Sequence, residues 1–129
     1  MLKTGILNPA LLSLLARVRH TNTLVIADRG FPSWPQVETV DLSLVDDVPT
    51  VMQVLAALRP NFVLARAYAA EQFRLHNGAA KVDALVALLK PAELVFEPHP
   101  ELNQRVPNAV GLVRTADTTP FANLILESG

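Results

Sequence analysis

Histidine, aspartate and asparagine are the side chains through which this chain could do chemistry, because it contains no cysteine. Its three histidines, His20, His76 and His99, show neither the H-x-x-x-H nor the H-x-x-E-H spacing that places two imidazoles on one metal ion. The chain also has no G-x-G-x-x-G segment, no phosphate-binding loop and no G-x-S-x-G turn around a serine nucleophile. We therefore expect no metal site, no nucleotide cofactor and no serine-based catalysis.

The remaining polar candidates fall near the points where strands of an α/β sheet would end. Asp28 follows an apolar segment at 23–27, His99 follows a shorter one at 94–96, and the polar loop 117–119 precedes the last apolar segment. Ligands of open α/β sheets collect at the carboxyl ends of strands, so these residues would border one cleft. A polar cleft without a dominant charge suits a neutral ligand such as a sugar. His20 lies just ahead of the first strand, in a connection between a helix and that strand.

The elements that would position these residues alternate between helix and strand. Asn8 and Pro9 are typical of a helix start, with asparagine as the N-cap and proline at the first helical position. Residues 71–75 fit neither a helical nor a strand pattern clearly. The apolar periodicity predicts helices at 9–19, 50–58 and 79–89 and strands at 23–27, 37–45, 62–67, 94–96, 110–113 and 123–126. This alternation predicts one α/β domain over residues 1–129, with three α/β/α layers and a mostly parallel, Rossmann-like sheet.

The composition predicts an oligomer and excludes several kinds of partner. Half of the 129 residues are apolar and 18% are charged, against roughly 25% charged in an average soluble domain. A chain this small has little interior, so the apolar excess indicates a subunit interface between identical chains. A net charge of −1 without a basic cluster argues against nucleic acid and membrane surfaces as partners. No apolar run approaches the ~20 residues of a membrane span or forms a signal peptide, so we expect a cytoplasmic protein.

Several blocks of the sequence resemble the D-ribose pyranase and fucose mutarotase family. The segment from His20 to Asp28 is similar to the family signature H-x-D-x-hydrophobic-x-x-D, and residues 120–126, PFANLIL, are similar to its C-terminal motif P-Y-A-N-hydrophobic-I-L. Residues 30–32, 40–42 and 48–55 match the blocks between them and are closer to the ribose branch. The similarity runs in order along nearly the whole chain.

The resemblance implies an isomerase that interconverts the ring forms of a free monosaccharide, with D-ribose as the expected sugar and no cofactor. It implies that His20 is the catalytic acid/base and that Asp28, His99, Phe121 and Asn123 bind the substrate. Members of the family form rings of ten subunits with their sites at subunit contacts. Such a decamer would account for the apolar excess in the composition.

Two departures from the family pattern leave a second function open. Phe121 stands where most of the family has tyrosine, so a phenol hydroxyl is missing, and Asn22 stands where the family usually has aspartate. The alternative to an active isomerase is therefore a non-catalytic protein that binds or senses a monosaccharide and has kept the fold. The retained His20 and Asp28 favour the isomerase.

Each candidate residue also has a structural explanation. His20 could be a solvated residue of a connection, Asp28 a turn residue, and His99, between two prolines, part of an exposed loop. Asn123 could make a structural hydrogen bond. His76 is expected to end a helix, where a histidine is favourable to the helix dipole.

Overall fold

Six strands form one sheet, and five helices cover its two faces. The structure is a computed structural model that describes all residues, 1–129. The helices are α1 Pro9–Arg17, α2 Val51–Leu58, α3 Glu71–Asn77, α4 Ala79–Leu89 and α5 His99–Arg105. The strands are β1 Thr23–Ala27, β2 Thr39–Asp41, β3 Leu64–Ala70, β4 Glu93–Glu97, β5 Gly111–Arg114 and β6 Leu124–Ser128. None of the helices has the length and apolar composition needed to cross a bilayer.

The strand order β2-β5-β1-β6-β3-β4 makes the sheet mostly parallel, as predicted. Strand β1 pairs in parallel with β5, β2 pairs in parallel with β5, and β3 pairs in parallel with β4. Strand β6 lies between β1 and β3 and runs antiparallel to both. The connection from β5 to β6 contains no helix, so the chain returns through a loop and β6 runs in the opposite direction. The amino end of β6 consequently lies at the same edge as the carboxyl ends of the other five strands.

The core lies on both faces of the sheet, which gives the predicted three layers. One face packs against α1, α2, α3 and α4, through side chains such as Leu14, Leu55 and Leu89 that are fully buried. The other face packs against α5 and against the loop that follows β1, through Leu102, Val106 and Phe31. Strand β1 contributes to both faces, with Leu24 and Ile26 on one side and Val25 and Ala27 on the other. This two-sided burial explains why its sequence is continuously apolar.

Two helix starts follow from side chains that accept hydrogen bonds from free backbone amides. At the start of α1, Asn8 Oδ1 accepts from the Leu11 amide at 2.9 Å, as predicted for an N-cap. At the start of α2, Thr50 and Gln53 form a capping box, in which each side chain accepts from the backbone amide of the other. The first cap directs α1 toward the His20 turn, and the second fixes α2 beside the loop that precedes β6.

The structure corrects several predicted boundaries. The strand expected at 37–45 forms only over Thr39–Asp41, because the Asp41 side chain accepts hydrogen bonds from Ser43 and turns the chain. The strand expected at 62–67 is shifted to Leu64–Ala70, and helix α1 ends at Arg17, two residues before the predicted end. The ambiguous segment 71–75 is the helix α3, and His99 begins the helix α5 where a loop was expected. The prolines at 98 and 100 are compatible with that helix because the first turn needs no intrahelical amide donors.

Candidate active site

Asp28 and Asn123 form a reciprocal pair at the carboxyl edge of the sheet. The Asn123 side chain accepts from the Asp28 amide through Oδ1 at 2.8 Å and donates from Nδ2 to Asp28 Oδ2 at 3.1 Å. The pairing of Ile26 with Leu124 places the residue after β1 beside the residue before β6. The antiparallel direction of β6 is therefore what brings these two residues together, although 95 positions separate them in the sequence.

Burial raises the pKa of the Asp28 carboxyl above its ordinary value of 3.8. The residue is 9% exposed, so ionisation takes a charge out of water. Hydrogen bonds from the Gly30, Phe31 and Ala122 amides and from the Asn123 side chain favour the carboxylate and oppose that shift. The Gly30 amide donates to Oδ1 at 3.0 Å. The carboxylate is thus an acceptor with fixed orientation that is more easily protonated than a surface aspartate.

His99 lies at the same edge because it begins α5 shortly after the carboxyl end of β4, the last strand in the strand order. Its backbone amide donates to Gln72 Oε1 at 3.0 Å, and its Nε2 lies 3.3 Å from the Asn103 side-chain nitrogen one helical turn later. When Asn103 donates to Nε2, the imidazole carries its proton on Nδ1. That Nδ1 is buried and has no hydrogen-bond partner in the protein, as is also true of Asn103 Oδ1.

Phe121 lies between two imidazoles. Its ring centroid is 5.1 Å from that of His76, with the planes tilted by 31°, and 5.4 Å from that of His99, with the planes at 78°. The second arrangement is an edge-to-face contact, which aromatic rings favour. The backbone of Phe121 has a φ of 57°, in the left-handed region that bulky residues seldom occupy.

These four residues share one open cleft of about 310 Å³. Asp28, His99, Phe121 and Asn123 line it together with Pro120 and residues 30–32. The sequence-predicted substrate-binding residues are therefore brought together, in a site with one carboxylate, one imidazole, one amide and the aromatic rings of Phe31 and Phe121. Such a set can exchange hydrogen bonds with several hydroxyl groups and cover an apolar face of a small polar molecule.

The loop after β1 is fixed by Arg114, at the end of β5. Its guanidinium donates to the carbonyl oxygens of Asp28 at 3.2 Å, Arg29 at 3.3 Å and Pro32 at 3.2 Å. Thr115 adds a hydrogen bond from its hydroxyl to the Ala27 carbonyl at 2.8 Å. The end of β5 therefore determines how the cleft-forming loop leaves the sheet.

His20 lies at the opposite edge of the sheet. It is exposed in a turn before β1, and it lines a shallow surface depression with Arg19, residues 61–63, the last residue of β6 and Gly129. At a rise of about 3.3 Å per residue, the five residues of β1 separate this turn from the Asp28 cleft by roughly 17 Å. That span exceeds a monosaccharide, so one chain does not bring His20 together with the other four residues.

Asn22 organises the His20 turn through its backbone and its side chain. Its Oδ1 accepts from the Arg19 amide at 2.9 Å, and its own amide donates to the Arg19 carbonyl at 3.0 Å. Thr21, inside the turn, has a φ of 67°. A side-chain oxygen at position 22 is thus what closes the turn that presents His20.

The loop 117–119, a candidate from the sequence, has mainly structural contacts. Asp117 is buried and accepts from the Val51 amide at 2.9 Å and from the Thr119 amide at 2.8 Å. The Thr118 hydroxyl and amide both contact the Asp47 carboxylate. Asp117 therefore caps α2, and it does not line the cleft that contains His99. No three His, Asp or Glu side chains of the chain converge as metal ligands would.

Sequence reasoning missed several residues that hold the site in place. Four residues contact the cleft residues or their backbone: Gln72, Asn103, His76 and Arg114. None of them belongs to a sequence motif. A partial signal was available, since His99 and Asn103 are four residues apart and such residues share one face of a helix. This spacing was not interpreted as helical, because Pro98 and Pro100 favour a loop at this point of the sequence.

Known proteins resemble this chain over its full length. A family model described as the RbsD / FucU transport protein family matches residues 1–129. The D-ribose pyranase of Chromobacterium violaceum is 41% identical over 129 residues, which cover 100% of this chain and 98% of the relative. The D-ribose pyranase of Geobacillus thermodenitrificans is 36% identical, with 100% and 97% covered.

Solved structures of similar proteins have the same fold. RbsD of Bacillus subtilis, complexed with D-ribose, superposes with a TM-score of 0.93 and 33% identity, covering 100% of this chain and 98% of that one. The fucose mutarotase of Streptococcus pneumoniae, in complex with L-fucose, superposes with a TM-score of 0.80 and 17% identity, covering 95% and 92%. At that identity, the second likeness concerns the fold alone.

Proposed function

The chain belongs to the RbsD / FucU family, and we propose that it is an isomerase that interconverts the ring forms of a free monosaccharide, D-ribose. The observation that carries this proposal is the full-length similarity to D-ribose pyranases and to RbsD with D-ribose bound. The cleft of Asp28, His99, Phe121 and Asn123 supports it independently, because its polar groups suit a neutral sugar.

The reaction needs removal of the proton from the anomeric hydroxyl and protonation of the ring oxygen. The bond between the ring oxygen and the anomeric carbon breaks as this occurs, and the sugar becomes an open-chain aldehyde. Closure by a different hydroxyl gives the other ring size, and closure on the other face of the aldehyde gives the other anomer. No electron or group is transferred, so the proposal includes no cofactor.

We assign the proton transfers to His20 and the binding of sugar hydroxyls to Asp28, His99 and Asn123. Imidazole gives and takes protons near neutral pH, which both ring opening and ring closure require. Asp28 accepts hydrogen bonds through oxygens whose orientation Asn123 fixes, and His99 offers an imidazole to the same cleft. Phe121 contributes an aromatic surface for an apolar face of the sugar.

The distance between His20 and the cleft requires that a neighbouring chain supply the histidine. Two features favour such an assembly. The depression around His20 includes Val63, which is 73% exposed, and only 18% of the residues are charged. We therefore propose a ring-like homo-oligomer of ten chains in which each site lies between two subunits. We further propose that this assembly works in the cytoplasm, because the sequence has no apolar run typical of a signal peptide or a membrane span.

The proposal is tested by exchange NMR on the anomeric protons of D-ribose. With the wild-type protein, the ring forms should exchange faster than in buffer, and His20→Ala should return the rate to the buffer value. Asp83→Ala is the control, because Asp83 is exposed on α4 and lies outside both the His20 depression and the cleft. Wild-type exchange at the buffer rate, with ribose binding intact, would leave a sugar-binding protein without catalysis.

A further inference from the structure

The junction of α3 and α4 holds the loop that carries Phe121. Asn77, the last residue of α3, donates from Nδ2 to the Pro120 carbonyl at 2.9 Å and to the Phe73 carbonyl of its own helix at 3.0 Å. His76 covers the neighbouring loop residue, with its ring 5.1 Å from that of Phe121. Two successive helix residues therefore contact two successive loop residues, one through a hydrogen bond and the other through ring packing.

A third contact extends this arrangement to the preceding loop residue, Thr119. Lys81 Nζ, in the first turn of α4, lies 3.3 Å from Thr119 Oγ1. The two helices meet at Gly78, whose φ of 80° lies in the region open to glycine. The corner between α3 and α4 thus presents three side chains to three consecutive loop residues, 119–121.

The loop needs such support because Phe121 adopts an unfavourable backbone conformation. A φ of 57° brings the Cβ of a bulky residue close to its own carbonyl group. Residues in such conformations persist only where their surroundings hold them, and they occur preferentially at functional sites. The next two residues of this loop direct the Ala122 amide and the Asn123 side chain to the Asp28 carboxylate, so a shift of Phe121 would displace the sugar-binding groups as well.

We propose that His76 and Asn77 are positioning residues for the isomerase site, which hold Phe121 and the Asn123 amide in their sugar-binding geometry. This inference rests on the proposed function. Neither residue needs to touch the sugar. Their effect is on binding, because they fix groups that contact the ribose in both its ground state and its transition state. Loss of such an interaction raises KM more than it lowers kcat.

The test compares four variants with a matched control on the same helix. His76→Ala removes the ring contact and His76→Phe retains it, whereas Asn77→Ala removes the amide and Asn77→Asp keeps its shape without the donor hydrogens. Leu75→Ala is the control, because Leu75 lies on the same helix and is 72% exposed. The measurements are KM and kcat for ribose ring exchange, and amide hydrogen exchange of peptides that cover residues 117–124.

We expect KM to rise roughly 3- to 10-fold in His76→Ala, Asn77→Ala and Asn77→Asp, with a smaller change in kcat, and His76→Phe to stay near wild type. Hydrogen exchange of residues 117–124 should become faster in the same three variants. If the variants match Leu75→Ala in both measurements, or if His76→Phe is as impaired as His76→Ala, the positioning role is wrong. Hydrogen exchange does not depend on catalysis, so a wild type that fails to accelerate ribose exchange would refute the proposed function and leave this readout interpretable.

Discussion

Asp28 is the residue on which the proposed sugar contact depends most, because its carboxylate is buried and yet borders the cleft. Four donors fix its oxygens, the amides of Gly30, Phe31 and Ala122 and the side chain of Asn123. Burial still raises its pKa, so the charged form is less stable in the folded protein than in the unfolded chain. Ionisation of Asp28 therefore lowers the stability of the fold at neutral pH, and this cost disappears as the pH falls through the raised pKa.

The affinity for ribose should fall on acidification at a pH above the ordinary aspartate value of 3.8. Protonated Asp28 accepts fewer hydrogen bonds from sugar hydroxyls, so the dissociation constant should rise about tenfold per pH unit below its pKa. NMR titration of ribose between pH 4 and 7 measures this dependence. Asp28→Asn should bind ribose weakly and without the same pH dependence, and a wild-type affinity that stays constant across the range would contradict this role of Asp28.

Phe121→Tyr tests whether the missing phenol hydroxyl limits this protein. The ring keeps its shape between His76 and His99, and Phe121 lines the cleft. We expect kcat/KM for ribose exchange to rise about 2- to 10-fold, the value of one hydrogen bond, with an unchanged melting temperature. A rise of about 100-fold or more would identify the hydroxyl as a proton-transfer group. A decrease at unchanged stability would show that the cleft is adapted to phenylalanine.

Asn22→Asp tests the second departure from the family pattern, at the other edge of the sheet. Its Oδ1 accepts from the Arg19 amide, and Asn22→Asp retains an oxygen there while it adds a carboxylate two residues from His20. Combined with Phe121→Tyr, it restores both family residues. In the proposed ring the two positions meet in one shared site, so the effect of the double variant on the rate should differ from the product of the two single effects.

At the scale of elements, the sequence was most informative where one segment carries its own signal. The cap at Asn8, the doubly buried strand β1 and the helix α4 were predicted because a cap, a continuous apolar run and a helical period are local properties. Helix α5 was missed because Pro98 and Pro100 resemble loop residues, although proline is compatible with a first helical turn. The contacts that assemble the cleft, such as Asp28 with Asn123, join distant segments and have no local pattern to reveal them. The family motifs named these residues, but only the antiparallel β6 explains why they meet.

Arg114 links two elements of the cleft, and its removal should loosen the loop after β1. Arg114→Met loses hydrogen bonds to the carbonyls of Asp28, Arg29 and Pro32, so we expect a loss of about 1–3 kcal/mol in unfolding free energy and a severalfold rise in KM. Urea unfolding and ribose exchange kinetics measure the two effects. Arg114→Lys should recover them only in part, because an ammonium group cannot donate in the same forked geometry.

The control for this variant is Arg66→Met. Arg66 forms an exposed ion pair with Glu93 at 3.2 Å, and such surface pairs contribute little to stability. If Arg114→Met is no more destabilising than Arg66→Met and leaves KM unchanged, the loop after β1 does not depend on Arg114.

At the scale of the whole molecule, the sheet places the proposed acid/base and the sugar-binding residues at opposite edges. If one chain formed the whole site, the acid/base and the sugar-binding residues would lie at the same edge of the sheet, as Asp28 and Asn123 do. A ring of identical chains solves this geometry, because the edge that presents His20 can meet the edge that presents the cleft of the next subunit. Light scattering should accordingly give a mass near 140 kDa for ten chains of 14.0 kDa.

The central claim is a ribose isomerase site shared between two chains, and ribose exchange NMR on mixed assemblies tests it most directly. Chains with His20→Ala and chains with Asp28→Asn, each inactive alone, are co-expressed in equal amounts. In a second mixture, the double variant is co-expressed with wild type. If each site takes His20 from one chain and Asp28 from its neighbour, random assembly leaves about a quarter of the sites intact in both mixtures, so both should show about a quarter of the wild-type acceleration. No acceleration in the first mixture and about half in the second would place each site within a single chain and contradict this account.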